Sequence, residues 1–128
     1  MIYQFLKTRL ESVQTLAGAV YPTTANIDDV SGAFVVYTYK DRTPVTDLSG
    51  NIHHYVENLL LDFLGESYDE LHELYHRAEA ALMVSNLDTG DGEYIFSVTC
   101  ASAEPDKFSP ETHLLRRTMQ VTIRWCPV

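Results

Sequence analysis

Apolar residues at Ile2, Phe5, Leu6, Leu10, Val13, Leu16 and Ala17 recur at helical spacing, and Gly18 stands where a left-handed C-terminal residue would. The spacing predicts an amphipathic helix over residues 2–17. Tyr21-Pro22-Thr23-Thr24-Ala25-Asn26 has loop chemistry, whereas Ala33-Phe34-Val35-Val36-Tyr37-Thr38-Tyr39 is an apolar, aromatic and β-branched run too short for a helix. A strand over 33–40, covered on both faces, follows. Residues 41–52 gather Pro44, Ser49 and Gly50 around Val45 and Leu48 and read as a long polar loop, a kind of segment that is often functional.

Strict alternation over 54–64 places Tyr55, Glu57, Leu59, Leu61 and Phe63 on one face of a second strand, the better core candidate. Ser67 and Glu70 form a capping box for a second helix over 67–84, whose stripe is Tyr68, Leu71, Leu74, Tyr75, Ala78, Ala81 and Leu82. The turn Asp88-Thr89-Gly90-Asp91-Gly92 precedes a strand over 93–101, with Tyr94, Phe96, Val98 and Cys100 alternating against Glu93, Ile95, Ser97 and Thr99. Pro105 and Pro110 mark a second loop over 101–112. The last strand, 113–126, sets Leu115, Arg117, Met119, Val121, Ile123 and Trp125 against Leu114, Arg116, Thr118, Gln120, Thr122 and Arg124.

This order predicts a single α+β domain with two helices on one face of an antiparallel or mixed sheet of about four strands. If the last two strands pair across the 101–112 loop, Cys100 faces roughly Leu115 and Cys126 lies beyond its partner strand, which disfavours a disulfide.

Composition narrows the function classes. With 128 residues and 45% hydrophobic content the chain can bury a core. Eighteen acidic against nine basic residues give a charge of −9, which argues against a partner gripped through phosphates. The N-terminus lacks the basic and apolar regions of a signal peptide, and no apolar run approaches the ~20 residues of a membrane span, so no membrane partner is expected. The expected compartment is a reducing cytoplasm, with Cys100 and Cys126 as small buried hydrophobes.

His72-Glu73-Leu74-Tyr75-His76 matches the helical H-E-x-x-H pattern of zinc hydrolases, in which two histidines hold the metal and the glutamate activates its water. The chemistry needs a third ligand. Glu79 and Leu82 depart from the extended pattern, leaving Glu93 as the downstream carboxylate at a plausible distance. The plainer reading makes Leu71, Leu74, Tyr75 and Ala78 the core stripe and His72, Glu73 and His76 its solvated flank. His53-His54 points to opposite strand faces and cannot chelate one metal without a bend. Arg117 interrupts an apolar face: either that strand end is exposed, or Arg117 pairs with a carboxylate such as Glu57 or with a neighbouring subunit. No nucleophile elbow or phosphate-binding glycine loop is present, and eight tyrosines suit protein interfaces.

The helix, the Tyr21-Pro22 loop, Phe34-Val35-Val36-Tyr37 and Asp47-Leu48-Ser49-Gly50 resemble the tail-completion, or tail-terminator, proteins of long-tailed bacteriophages and related gene transfer particles. The strand Val56 to Leu64 agrees, as do Ser67-Tyr68-Asp69-Glu70-Leu71, Arg77-Ala78-Glu79-Ala80-Ala81-Leu82 and Ser109 to Thr118. The resemblance implies a homohexameric ring that caps the tail tube, stops its polymerisation and meets the head-completion or connector protein. It also implies no catalysis and no cofactor, assembly in a host cytoplasm, residence at the tail-head interface of the virion, and passage of DNA through the lumen without specific binding. A heterologous ring needs two different patches per subunit. Candidate interface residues are Arg42, Asp47, Leu48 and His54 for one, and Lys107, Arg116 and Arg117 for the other. The alternatives are another head–tail joining, neck or minor tail protein, and a zinc-dependent hydrolase using His72 and His76.

Overall fold

The computed structural model describes residues 2–13, 20–22, 32–103, 105–110 and 113–128. Its elements are α1 (Ile2–Glu11), β1 (Val20–Pro22), β2 (Phe34–Thr46), β3 (Ile52–Gly65), α2 (Tyr68–Leu82), β4 (Ser85–Asp88), β5 (Glu93–Ser102), β6 (Lys107–Ser109) and β7 (Leu114–Pro127). The strands form one seven-stranded sheet in the order β1-β2-β3-β7-β5-β4, with β6 joining β7. All pairs are antiparallel except β1 with β2, so the sheet is mixed.

Seven strands replace the expected four: β1, β4 and β6 are added, β6 from within the segment read as a second loop, while the first such segment lengthens β2 and β3. In 41–52, β2 continues to Thr46 and pairs with β3 from Asp41↔Asn58 to Thr46↔Ile52, leaving only 47–51 as a turn. Pro44 is tolerated because, among the described residues, nothing pairs with the outer edge of β2 opposite it, and an edge strand can spare the missing N–H. Asp47 Oδ1 closes the turn by accepting from the backbone N–H groups of Ser49 and Asn51, both at 2.9 Å. Gly50 has φ 84°, a conformation that strains any other residue.

In 101–112, β6 pairs antiparallel with β7 through Lys107↔Arg116, Phe108↔Leu115 and Ser109↔Leu114. This pairing moves the register. Cys100 faces Val121 rather than Leu115, and Tyr94 faces Cys126; both thiols are free. Burial pushes the Cys100 thiol up to about 11.

Bulges redistribute the faces. Ile95 faces Trp125 and Ser97 faces Arg124, so Phe96 is the extra residue and the buried set on β5 is Glu93, Ile95 and Val98, not the single alternating face expected. A shift between Tyr39 and Asp41 likewise brings Arg42 onto the face of Glu57. α1 ends at Glu11, short of the expected 17, with Ser12 and Val13 in a turn and a bend; residues 14–17 and Gly18 lie outside the described residues. Tyr21 and Pro22, expected in a loop, sit in β1. Ser67 caps α2 by accepting from the Glu70 N–H at 3.4 Å, as the capping box predicts.

Leu59, Leu61 and Phe63 of β3, Met119, Val121, Ile123 and Trp125 of β7, and Ile95 and Val98 of β5 form the buried sheet face. Leu6 and Leu10 of α1 and Leu71, Leu74, Ala78 and Leu82 of α2 cover it. The helices are tied by Arg9 Nε donating to the Ala81 carbonyl at 2.9 Å. The other face carries a polar ladder: Thr118 donates to Asp62, Thr122 to Asn58 and the Asn58 amide to Asp41, each at 2.7 Å. Among the described residues no helix is long and apolar enough to cross a membrane.

Because β3 and β7 are antiparallel, Tyr55↔Trp125 marks one end of the sheet and Gly65↔Leu115 the other. The 47–51 turn projects from the first end, and Pro110 and His113 lie at the second.

Candidate functional site

At the first end, Leu48 sits at the apex of the β2–β3 turn, wholly exposed, with Ile52 half-exposed beside it. The rigid Asp47 turn holds both. Just inside, Val45 faces His54 and Thr46 faces Ile52, so His53 is an extra residue in the pairing. This supplies the bend that alternation alone would deny. The two Nδ1 atoms lie 2.7 Å apart, one ring donating to the other, and Phe96 stacks on His53 with centroids 6.0 Å apart. Burial, then His53 and Arg124, hold the His54 imidazole below its usual pKa.

Arg42 lies on the helix side of the same hairpin. Its Nε donates to Oε1 of Glu57, a fully buried carboxylate that also accepts from Trp125 Nε1 at 3.2 Å. The guanidinium sits 5.6 Å from the Tyr55 ring centre and 5.3 Å from that of Trp125. Among the described residues Glu57 Oε2 has no hydrogen-bond partner. Of the readings open for Arg117, pairing with a carboxylate holds but Glu57 is not the one: Glu57 faces Ile123, and Arg117 faces Phe63 six residues along β7 and pairs with Asp106. Arg42 satisfies Glu57 from β2 instead, through the bulge that turned it inward.

At the second end, Arg117 donates from Nε and Nη2 to the two carboxylate oxygens of Asp106, at 3.0 and 2.8 Å, and from Nη1 to His72 Nδ1 at 2.8 Å. Its Nη2 also donates to the Tyr68 hydroxyl at 3.4 Å, and the guanidinium lies against the rings of Tyr68 and Tyr75. The hydrogen bonds from Arg117 hold the Asp106 carboxyl below its usual pKa. The arginine that interrupts an apolar face is thus a clamp between β7, α2 and the chain entering β6.

On the other sheet face at this end, Lys107 of β6, Arg116 of β7 and Leu64 of β3 stand in one row. With Phe108, Ser109 and Leu114 they line a groove of about 390 Å³. Phe108 is 56% exposed. The structure therefore gathers Lys107 and Arg116, turns Arg117 to the opposite face, and sets all three a sheet length away from Asp47 and Leu48. Phe108, Leu64 and Leu114 escaped sequence reasoning. Phe108 was hidden inside a segment read as loop, and Leu64 counted only as a strand end.

The zinc-hydrolase pattern is not assembled among the described residues. His72 and His76 have ring centres 4.5 Å apart, but His72 Nδ1 already accepts from a guanidinium, and Glu73 pairs with Arg77 along the helix. Glu93, the candidate third ligand, faces Pro127, about 33 Å along β7 from Arg117. No group of three His, Cys, Asp or Glu is placed to hold a metal among those residues.

No protein-family model and no curated protein matches the sequence. In three dimensions the chain is similar to a chain of a solved particle described as the virion of a native gene transfer agent (GTA) particle, with a TM-score of 0.72 and 15% identity over 94% of this chain and 90% of that one. The two share a fold.

Proposed function

We propose that this chain is a structural virion protein of a phage-like particle, and within that class a tail terminator. Six copies form a ring that caps the tail tube, stops its growth and joins it to the head-completion or connector protein. The observation that carries the reading is the match in fold, over nearly the full length of both chains, to a chain of the gene transfer agent virion. The surface chemistry agrees with a ring. A closed ring of identical copies needs two unlike patches per subunit, and the 47–51 turn and the paired strands β6 and β7 present different side chains at opposite ends of the sheet. A charge of −9 per copy suits a lumen through which DNA slides without being held.

Electron microscopy of particles made without this protein tests the role. Tails longer than normal and variable in length are expected, because nothing halts tube polymerisation. Tails of normal length separated from heads would contradict termination and favour the head–tail joining alternative.

A further inference from the structure

Two features at opposite ends of the molecule match in chemistry, each setting apolar side chains beside charge of opposite sign. The first is the knob formed by Leu48, wholly exposed at the apex of a turn fixed by the Asp47 carboxylate, with Ile52 at its flank. The second is the groove lined by Leu64, Phe108 and Leu114 and bordered by Lys107 and Arg116. The groove is apolar at its floor and cationic along one row, while the knob is apolar at its tip and anionic at its base. A single exposed leucine is common on protein surfaces. A rigid leucine beside a carboxylate, matched by an apolar groove beside two cations on the same chain, is the arrangement of a self-complementary pair.

The knob cannot reach its own groove. From Ile52 to Leu64 along β3 is about 40 Å at the ordinary strand rise. The occupant must come from another molecule, and a second copy of this chain carries the matching knob.

We infer that the Leu48 turn of one copy docks into the Leu64–Phe108–Leu114 groove of the next, with Asp47 facing Lys107 and Arg116. The contact is heterologous, so each copy offers one knob and one groove, and repetition closes a ring. This inference rests on the ring reading above and assigns its subunit interface.

The test counts copies bound at the ends of purified tail tubes for wild type, Leu48→Lys, and Leu48→Lys combined with Phe108→Glu, which puts an anion in the groove and leaves Lys107 and Arg116 in place. Thermal melts of the free variants check folding, and Leu48, being wholly exposed, can be replaced without opening a cavity. Leu48→Lys is expected to weaken ring formation about ten- to a hundred-fold, since it removes a buried leucine and adds repulsion with the groove. The combined variant is expected to recover a measurable part of the loss, because the new glutamate faces the new lysine while Asp47 keeps Lys107 and Arg116. Wild-type assembly by Leu48→Lys overturns the inference and leaves the ring standing. Loss in Leu48→Lys with no recovery in a folded combined variant also overturns it, since the groove is then not the receptor. Failure of the wild type to cap tubes overturns the ring reading and this interface with it.

Discussion

Arg42→Ala lowers the melting temperature by about 8–12 °C. Glu57 is fully buried, and Arg42 is its charge partner, held between the Tyr55 and Trp125 rings. Removing one partner of a buried ion pair costs about 3–5 kcal/mol. The Arg42 side chain is 40% exposed, so water partly replaces it, and about 2–3 kcal/mol remains. At about 4 °C per kcal/mol for a domain of this size, that gives the stated range. The cost arises from stranding a carboxylate, so Arg42→Ala with Glu57→Gln should lose less than Arg42→Ala alone. The glutamine still accepts from Trp125 Nε1 and carries no charge to desolvate. A single-variant shift under about 3 °C, or a double variant less stable than the single, would show that Glu57 does not depend on Arg42.

Arg117→Met has its largest effect locally. Methionine keeps the apolar stem against Tyr75 but gives up both hydrogen bonds to Asp106, the one to His72 and the one to Tyr68. These bonds hold the segment entering β6 to β7 and α2. Their loss should raise amide exchange across residues 102–109 at least tenfold, while the β3–β7 core exchanges as before. Acid should mimic the substitution. Because Arg117 lowers the Asp106 pKa below 3.8 in the folded state, its stabilising contribution is complete above that value and fades as the pH falls through the lower folded-state pKa. The wild-type chain should loosen at residues 102–109 in that acid range, and Arg117→Met, already loose, should show no such step. Exchange at those residues that is unchanged by the substitution would mean that the clamp does not hold β6.

The sequence made the long regular elements legible because alternation and helical spacing report burial directly. Leu59, Leu61 and Phe63 on β3, Met119, Val121, Ile123 and Trp125 on β7, and the capped stripe of α2 lie where the pattern places them. What escaped was strand hidden under turn chemistry. Pro44 in β2 and the prolines flanking β6 signal loops locally, yet an edge position or a place beside a short strand accommodates them. Bulges are equally silent in sequence. The extra residues at Phe96 and His53 and the shift after Tyr39 change which side chains share a face, and that change gave Glu57 its partner and brought the two histidines together. The candidate interface was half legible. Asp47 and Leu48 follow from turn residues around an exposed leucine, and Lys107 and Arg116 from their charge. The groove between Leu64, Phe108 and Leu114 needed the β6–β7 pairing before it existed.

The most direct test of the central claim adds the purified chain to polymerising tail-tube protein and measures tube length and the copies bound at each tube end. The account predicts that growth stops on addition and that each halted end carries one ring of six copies. Tubes that keep growing at the same rate, with no protein at their ends, would contradict it.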